Sequence, residues 1–340
     1  MTARSSGITV GVCWVMRPFG YSRPIEGRLG RGHSDGFIGS DPHRAATRLL
    51  GAAAASYLPA WNGACVAVAV LEPLSAQEHR IAAPTCGNCS ILVGDLVILG
   101  SSGGVNGTLN AIVRDSSGRY FVSSLETRDE IEVYNAAGSR LGTIGRAGSG
   151  PGELGAVYEL AVTDTILHVF DANHLRWFRF TLDGRFLTSS AIPGTPYAVG
   201  MIDPDRAVIN TSVRSAEQAG IPLFLVNSAG VQLRAFGENG TAYRYDHMFS
   251  GMREVAARNG RIWAALRTSY RLEVWDTVGV LRETILRDAA WFPTIEAWQM
   301  PEAGGPPPTA LTAICSEPQG RLWVVSNVAD PNLPQLGKCS

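Results

Sequence analysis

Closely spaced cysteines are the first residues in this chain that could do chemistry. Cys86-Gly-Asn-Cys89 is the only tight pair among the six cysteines, and such a pair can form a disulfide, half of a zinc site or a redox centre. A zinc site needs a second Cys or His pair at ligand spacing, and the nearest histidine, His79, stands alone. A redox centre would open a helix, whereas residues 90–99 are predicted to form a strand. A structural disulfide is therefore favoured, with metal and redox roles as alternatives.

A glycine-rich segment has the composition of a phosphate-binding loop. Its defining residues are Gly145, Gly148, Gly150, Pro151, Gly152 and Glu153. A dinucleotide loop opens a helix whose N-terminal amides hold the pyrophosphate, but proline has no amide hydrogen and residues 158–162 are predicted to form a strand. No lysine follows the glycines, as a P-loop would require. The segment is therefore predicted to be a structural linker.

Histidines and serines provide no recognisable catalytic set. Three of the six histidines lie before or at the start of the region predicted to fold, and the others are His168, His174 and His247. His168 alternates with residues typical of a buried strand, so a structural role is favoured. No Gly-x-Ser-x-Gly elbow occurs. We therefore predict no catalytic residue, no cofactor and no metal ligand.

Recognition is the chemistry that the loops support best. Aromatic residues and arginine dominate binding hot spots. The candidates in predicted loops are Arg267, Tyr270, Trp291 and Trp298. The alternative is that these rings pack over the ends of the strands.

A recurring turn indicates the elements that must position these residues. Its four copies end at Gly138, Gly184, Gly230 and Gly279, at steps of 46, 46 and 49 residues. In each copy a strand ends in an apolar or aromatic residue, a glycine can supply the positive φ of a tight turn, and a polar residue can bond its own backbone. A hairpin repeated at this period predicts the blades of a β-propeller.

Further strands flank each turn. Strands are predicted upstream at 118–122, 165–169, 205–209, 260–264 and 320–324, and downstream at 140–144, 185–188 and 231–236. The fifth upstream strand has no turn after it. The 38 glycines, 17% charged residues and net charge of -1 agree with many buried strands joined by tight turns. The absence of a basic stripe argues against a nucleic-acid partner.

The glycine-rich segment also carries a family resemblance. Gly145 to Leu154 resembles the G-x-x-G-x-G-P-G-E-F/L linker of NHL-repeat propellers, and residues 161–184 are similar to their blade consensus. Together with Cys86-x-x-Cys89, residues 86–340 resemble exported six-bladed β-propeller proteins of bacteria, of the NHL-repeat or TolB-like type. The resemblance implies a ring of blades that serves as a recognition surface, and it transfers no catalytic set.

The number of blades is the open question of the predicted fold. Residues 86–340 hold five to six blades of four antiparallel strands at about 47 residues each. Residues 91–99 are the candidate for an N-terminal strand that closes the ring. Because the repeat breaks off within the fifth blade, we expect an all-β propeller of the six-bladed type that is truncated at its C-terminus or incompletely closed.

The N-terminal region predicts export. Residues 1–42 read as a disordered extension or a mis-assigned start, residues 43–76 as a signal-peptide-like segment cleaved after Ala76, and residues 77–340 as the propeller. An uncleaved membrane anchor is the alternative. An exported chain can carry disulfides, and its four remaining cysteines allow three pairings. They are Cys86, Cys89, Cys315 and Cys339.

Two functions follow from this interpretation. The first is a periplasmic or extracellular monomer that binds a protein, peptide or glycan without catalysis and meets a membrane only through its signal segment. The second is a lactonase-like or lyase-like enzyme that holds calcium or zinc in the central channel with residues from several blades.

Overall fold

Only part of the chain is described by the structure, which is a computed structural model. The described residues are 10–13, 77–82, 109–211, 218, 220–237, 251–289, 292, 309–317 and 321–327. Within these ranges every regular element is a β-strand. In the same ranges, no helix is long and apolar enough to cross a membrane.

The twenty strands are numbered in chain order. They are β1 Val10–Cys13, β2 Gln77–Ala82, β3 Leu109–Arg114, β4 Tyr120–Ser124, β5 Ile131–Tyr134, β6 Arg140–Ile144, β7 Val157–Val162, β8 Ile166–Asp171, β9 Arg176–Thr181, β10 Phe186–Ala191, β11 Ala198–Asp203, β12 Arg206–Asn210, β13 Leu223–Asn227, β14 Gln232–Phe236, β15 Arg253–Arg258, β16 Arg261–Leu266, β17 Arg271–Asp276, β18 Leu281–Asp288, β19 Ala310–Ser316 and β20 Leu322–Asn327.

Consecutive strands form the blades that the repeat predicts. Strands β3 to β6, β7 to β10, β11 to β14 and β15 to β18 each pair antiparallel in chain order, and we call these sheets blades 1 to 4. The fifth sheet contains the antiparallel pair β19 and β20. The all-β fold with four-stranded antiparallel blades is therefore confirmed.

Two short strands from the N-terminal region join these sheets in parallel. β2 pairs with β18 at the outer edge of blade 4, and β1 pairs with β20 in the fifth sheet. Neither strand is predicted by the sequence, because neither belongs to the repeat. β1 lies within residues 1–42, and β2 begins at the first residue after the predicted cleavage site.

The apolar core lies between the blades. The first strands β3, β7, β11, β15 and β19 contact one another in that order, which is the arrangement of propeller blades around an axis. Each apolar cluster takes its residues from two successive sheets. Phe121 of blade 1 packs with Phe178 of blade 2, and Trp177 packs with Ile209 of blade 3. Val208 likewise packs with Trp275 of blade 4, and Leu272 with Leu311 of the fifth sheet.

The repeated turns have the predicted backbone conformation. The glycines at 138, 184, 230 and 279 have φ between 76° and 88°, the left-handed region that glycine adopts without strain. The residue three positions before the glycine caps the turn. Asn227 Oδ1 accepts the amide hydrogens of Ala229 and Val231, and Asp276 Oδ1 accepts those of Val278 and Val280. These side chains satisfy backbone donors that the turn leaves without a ladder partner.

The glycine-rich segment folds as a compact loop between β6 and β7. Glu153 accepts the amide hydrogen of Gly150 at 2.8 Å and pairs with Arg146 at 2.9 Å, and these contacts lower the pKa of its carboxyl. The buried Leu154 side chain occupies the space where a Cβ on Gly145 would lie. The glycines here serve close packing, because backbone and side chains of the loop fold onto one another.

Several predicted features lie outside the described residues. They include Cys86, Cys89, Cys339, Trp291, Trp298, His247, residues 91–99 and the signal-like segment. Cys315 is described on β19, where it is exposed and free. Burial and the nearby Glu317 carboxylate raise the pKa of its thiol.

Replacing a turn glycine tests the contact between blades. A Cβ at Gly230 would lie 3.2 Å from the backbone N and O of Ala191 in blade 2, whereas a Cβ at Gly260 meets nothing within 4 Å. Both have positive φ, so Gly260→Ala should cost about 1–2 kcal/mol through backbone strain alone. Gly230→Ala should cost about 1 kcal/mol more because it also overpacks the blade contact. Urea unfolding measures both costs, and equal losses would show that blade 2 does not constrain this turn.

Candidate functional site

Four side chains from three successive blades lie together where the first strands begin. Tyr158 is the second residue of β7, Tyr197 directly precedes β11, Glu254 is the second residue of β15, and Arg267 directly follows β16. All four are half-buried. We call them the four-residue cluster. Because each blade supplies residues at the same end of its first strand, the fold brings them together across large sequence separations.

The two tyrosines form the aromatic part of the cluster. Their ring centroids are 6.3 Å apart and the planes are inclined at 80°, an edge-to-face arrangement that aromatic pairs favour. Burial raises the pKa of the Tyr158 hydroxyl, the positive charge of Arg267 lowers it, and the Glu159 and Glu254 carboxylates raise it. Because its pKa is raised overall, Tyr158 stays protonated at neutral pH and can donate a hydrogen bond.

Arg267 and Glu254 form the charged part of the cluster. Arg267 Nη2 donates to Glu254 Oε1 at 2.5 Å, and Nη1 lies 3.8 Å from the sulfur of Met252. Arg267 Nε is buried and has no hydrogen-bond partner among the described residues. A guanidinium has five donors in a fixed fork, so this arginine keeps donating capacity beyond its pair with Glu254.

Backbone hydrogen bonds fix Arg267 between blade 4 and the fifth sheet. Its amide nitrogen donates to Met252 O at 3.0 Å, and its carbonyl oxygen accepts from the Leu311 amide at 2.9 Å. On the other side of the cluster, Asn110 Nδ2 donates to Val157 O at 3.0 Å and joins blade 1 to the residue before Tyr158. The positions of these side chains therefore follow from contacts between blades.

A buried ion pair holds the strand that presents Glu254. Arg253, the preceding residue, points to the other side of β15 and makes a two-point contact with Glu273, through Nε to Oε2 at 3.0 Å and Nη2 to Oε1 at 3.2 Å. The Trp275 indole also donates to Glu273 Oε2 at 3.3 Å. Asn210 of blade 3 accepts the Arg253 amide hydrogen at 3.3 Å. This network connects blades 3 and 4 directly beside the cluster.

The loop residues predicted to bind a ligand lie in different environments. Arg267 belongs to the four-residue cluster. Tyr270 is buried in the core between blade 4 and the fifth sheet, with its ring 5.5 Å from that of Phe292 and the Arg287 guanidinium 5.2 Å from its own ring centre. Its surroundings are those of a packing residue, the alternative interpretation of the loop aromatics. Trp291 and Trp298 lie outside the described residues.

The two described histidines take part in structural hydrogen bonds. His168 is fully buried, where the Trp177 indole donates to its Nδ1 at 3.2 Å and its Nε2 lies 2.9 Å from the Thr163 hydroxyl. Burial and the nearby Arg179 charge lower the pKa of His168 to about 4. His174 Nδ1 lies 3.3 Å from the carboxylate of Asp171. In the described part of the chain, no group of three or more His, Cys, Asp or Glu could hold a metal ion.

Asp171 connects the glycine-rich loop to blade 2. Its Oδ2 accepts the amide hydrogens of Gly155 and Ala156, and its Oδ1 accepts those of Asn173 and His174. Four backbone donors satisfy this fully buried carboxylate. Its geometry is that of a structural anchor for the start of β7, and hence for Tyr158.

Comparisons with known proteins reveal distant structural likenesses. No protein-family model matches the sequence, and no curated protein matches it. A Bacteroides fragilis protein inferred to be exported is 13% identical with a TM-score of 0.48, over 63% of this chain and 61% of that one. Virginiamycin B lyase from Staphylococcus aureus is 13% identical with a TM-score of 0.41, over 64% and 62%. Hydrazine synthase from Kuenenia stuttgartiensis is 13% identical with a TM-score of 0.44, over 70% and 61%.

The chain thus spans less than two thirds of each of these structures. At such values the assignment of a propeller rests on the blades themselves, that is, on the sheet order and the contacts between first strands.

Three members of the four-residue cluster were not among the predicted site residues. Tyr158 lies 26 residues before Gly184 and Glu254 lies 25 residues before Gly279. Counting back from each repeated glycine therefore locates the start of each first strand. That count is the signal in the sequence that could have identified them.

Acid should destabilise the propeller through His168. Its pKa is about 4 in the folded protein against an ordinary value of 6.5, so between these values the unfolded chain binds more protons. The stabilisation is complete above about pH 6.5 and is lost as the pH falls towards 4, with a total of about 3 kcal/mol. Urea unfolding at several pH values should show a shallower decline for His168→Gln than for the unchanged protein. Identical declines would contradict this role of His168.

Proposed function

We propose that this propeller is an exported, non-catalytic module that binds a protein, peptide or glycan at the four-residue cluster. The observation that carries the proposal is the convergence of two tyrosines, an arginine and a glutamate from blades 2, 3 and 4. Tyrosine and arginine are the residue types most enriched at binding hot spots. The partly exposed cluster presents them at the end of the blades, where a ligand can reach them.

The hydrogen-bonding capacity of the cluster supports a binding role. Arg267 retains a donor without a partner at Nε, and its side chain is 24% exposed. Glu254 supplies acceptor oxygens, and each tyrosine hydroxyl can donate and accept. A ligand with both acceptors and donors, such as a peptide backbone or a sugar, complements this set. Aromatic surface and a few placed polar groups are the usual components of a recognition site.

The finer assignment belongs to the same proposal. We assign the chain to the six-bladed NHL-repeat or TolB-like type because its linker loop has the motif of that group and packs through Gly145, Glu153 and Leu154. Export to the periplasm or the cell exterior is supported by the order of basic, apolar and small residues in 43–76. We expect the exported protein to act as a monomer without a cofactor.

Ligand screening with matched variants tests the proposal. Peptide and glycan libraries are presented to the purified protein, and the affinity of each ligand found is measured by calorimetry. Arg267→Ala and Tyr197→Ala should each weaken binding at least tenfold, because truncating a hot spot costs about 2 kcal/mol or more. Arg234→Ala removes the same charge from the exposed outer strand of blade 3 and should leave the affinity unchanged.

Two outcomes would overturn the proposal. One is a ligand whose affinity is the same for the unchanged protein and for both cluster variants. The other is stoichiometric calcium or zinc in the purified protein together with turnover of a lactone or a related substrate, which would establish the enzyme instead. Urea unfolding of each variant ensures that a loss of binding is not a loss of fold.

A further inference from the structure

Blade 4 has an outer edge unlike those of the other blades. The outer strands β6, β10 and β14 are five, six and five residues long, whereas β18 is eight residues long. Among the described strands, β18 is the one outer strand of a complete blade that carries a fifth strand, β2. The additional length of β18 lies at its C-terminal end, within the part that β2 covers.

The side chains on this edge also differ. Three residues after the turn glycine, blades 1, 2 and 3 expose Leu141, Leu187 and Leu233 to 57%, 40% and 48%. Blade 4 has Arg282 at this position. β18 carries four charged residues in all, while none of the other outer strands has more than one. The edge of blade 4 is thus charged where the others are apolar.

The pairing of β2 with β18 is specific in register and in charge. Six residue pairs run in parallel from Glu283 opposite Gln77 to Asp288 opposite Ala82. Arg80 of β2 lies 3.7 Å from the Asp288 carboxylate and 3.1 Å from that of Glu78. Opposite charges across paired strands favour one register over its neighbours.

We propose that β18 is a strand-docking edge and that its partner is the Gln77–Ala82 segment of a second copy of this chain. A strand that pairs with the edge of its own blade makes the same hydrogen bonds with the same edge of another copy, which is the basis of strand exchange. An edge strand is an open template for such pairing. Residues 83–108 separate β2 from β3, and among the described strands β2 pairs only with β18.

The predicted export step leaves this device intact. Cleavage after Ala76 would make Gln77, the first residue of β2, the first residue of the exported chain. The exchange surface is separate from the four-residue cluster, because β18 is the outermost strand of blade 4 and the cluster lies at the start of the first strands. The inference therefore does not depend on the proposed ligand site.

Cysteine cross-linking tests strand exchange in the full chain. Glu78 and Thr284 are opposite each other in the pairing of β2 with β18. One preparation carries Glu78→Cys and another carries Thr284→Cys, and the two are mixed under mild oxidation. Peptide mapping then detects the disulfide between positions 78 and 284 apart from disulfides of the native cysteines. We expect a covalent dimer with this linkage, in an amount that increases with protein concentration.

Matched variants make the result decisive. Ala235→Cys places a thiol five residues after the turn glycine of blade 3, as Thr284→Cys does in blade 4, and it should yield at least tenfold less cross-linking. A chain with both Glu78→Cys and Thr284→Cys reports pairing within one molecule. The proposal is overturned if this double variant cross-links internally while the mixture gives no dimer, if Ala235→Cys reacts equally, or if no variant cross-links.

Discussion

Burial of each blade's apolar faces against the next blade is the constraint on which the structure depends. The clusters that contain Phe178, Trp177, Trp275 and Leu272 each join two successive sheets. A single four-stranded sheet has two faces and no partner of its own, so it cannot remove this surface from water alone. The order of blades along the chain therefore becomes an order in space. Every long-range position in the protein follows from it.

The four-residue cluster is a direct consequence of this packing. Its members are dozens of residues apart in sequence, yet each lies at the same end of a first strand. The buried pair between Arg253 and Glu273 reinforces the arrangement at the junction of blades 3 and 4. A buried charge is costly unless it is paired and hydrogen-bonded, and here the Trp275 indole provides an additional donor. Such a network favours one relative position of the two blades over others, and Glu254 is the next residue in the chain.

Sequence alone predicts what is local and repeated. The turn at Gly184 and the strands around it follow from glycine, a capping side chain and alternating apolar residues, all within about twenty positions. The period then gives the fold class. The glycine-rich linker is also predicted, since Pro151 and the strand after it exclude a phosphate loop on local grounds.

What the sequence does not predict depends on contacts between distant segments. Tyr158 and Tyr197 meet through the neighbouring positions of blades 2 and 3, and a single sequence contains no record of that proximity. Tyr270 has the composition of a loop residue, but the ring of Phe292 and the fifth sheet enclose it. β2 lies outside the repeat, so its pairing with β18 has no periodic signal. In each case the deciding partner lies far away along the chain or in another repeat.

A double-mutant cycle on ligand affinity tests most directly whether the cluster acts as one site. Tyr158→Phe and Arg267→Ala change side chains on blades 2 and 4, and the affinity of a ligand is measured for both single variants and for the double variant. If both side chains contact the same ligand group, the two effects should not add, with a coupling free energy of about 1 kcal/mol. Effects that add to within about 0.3 kcal/mol would contradict the account, because they would show that the two blades act independently.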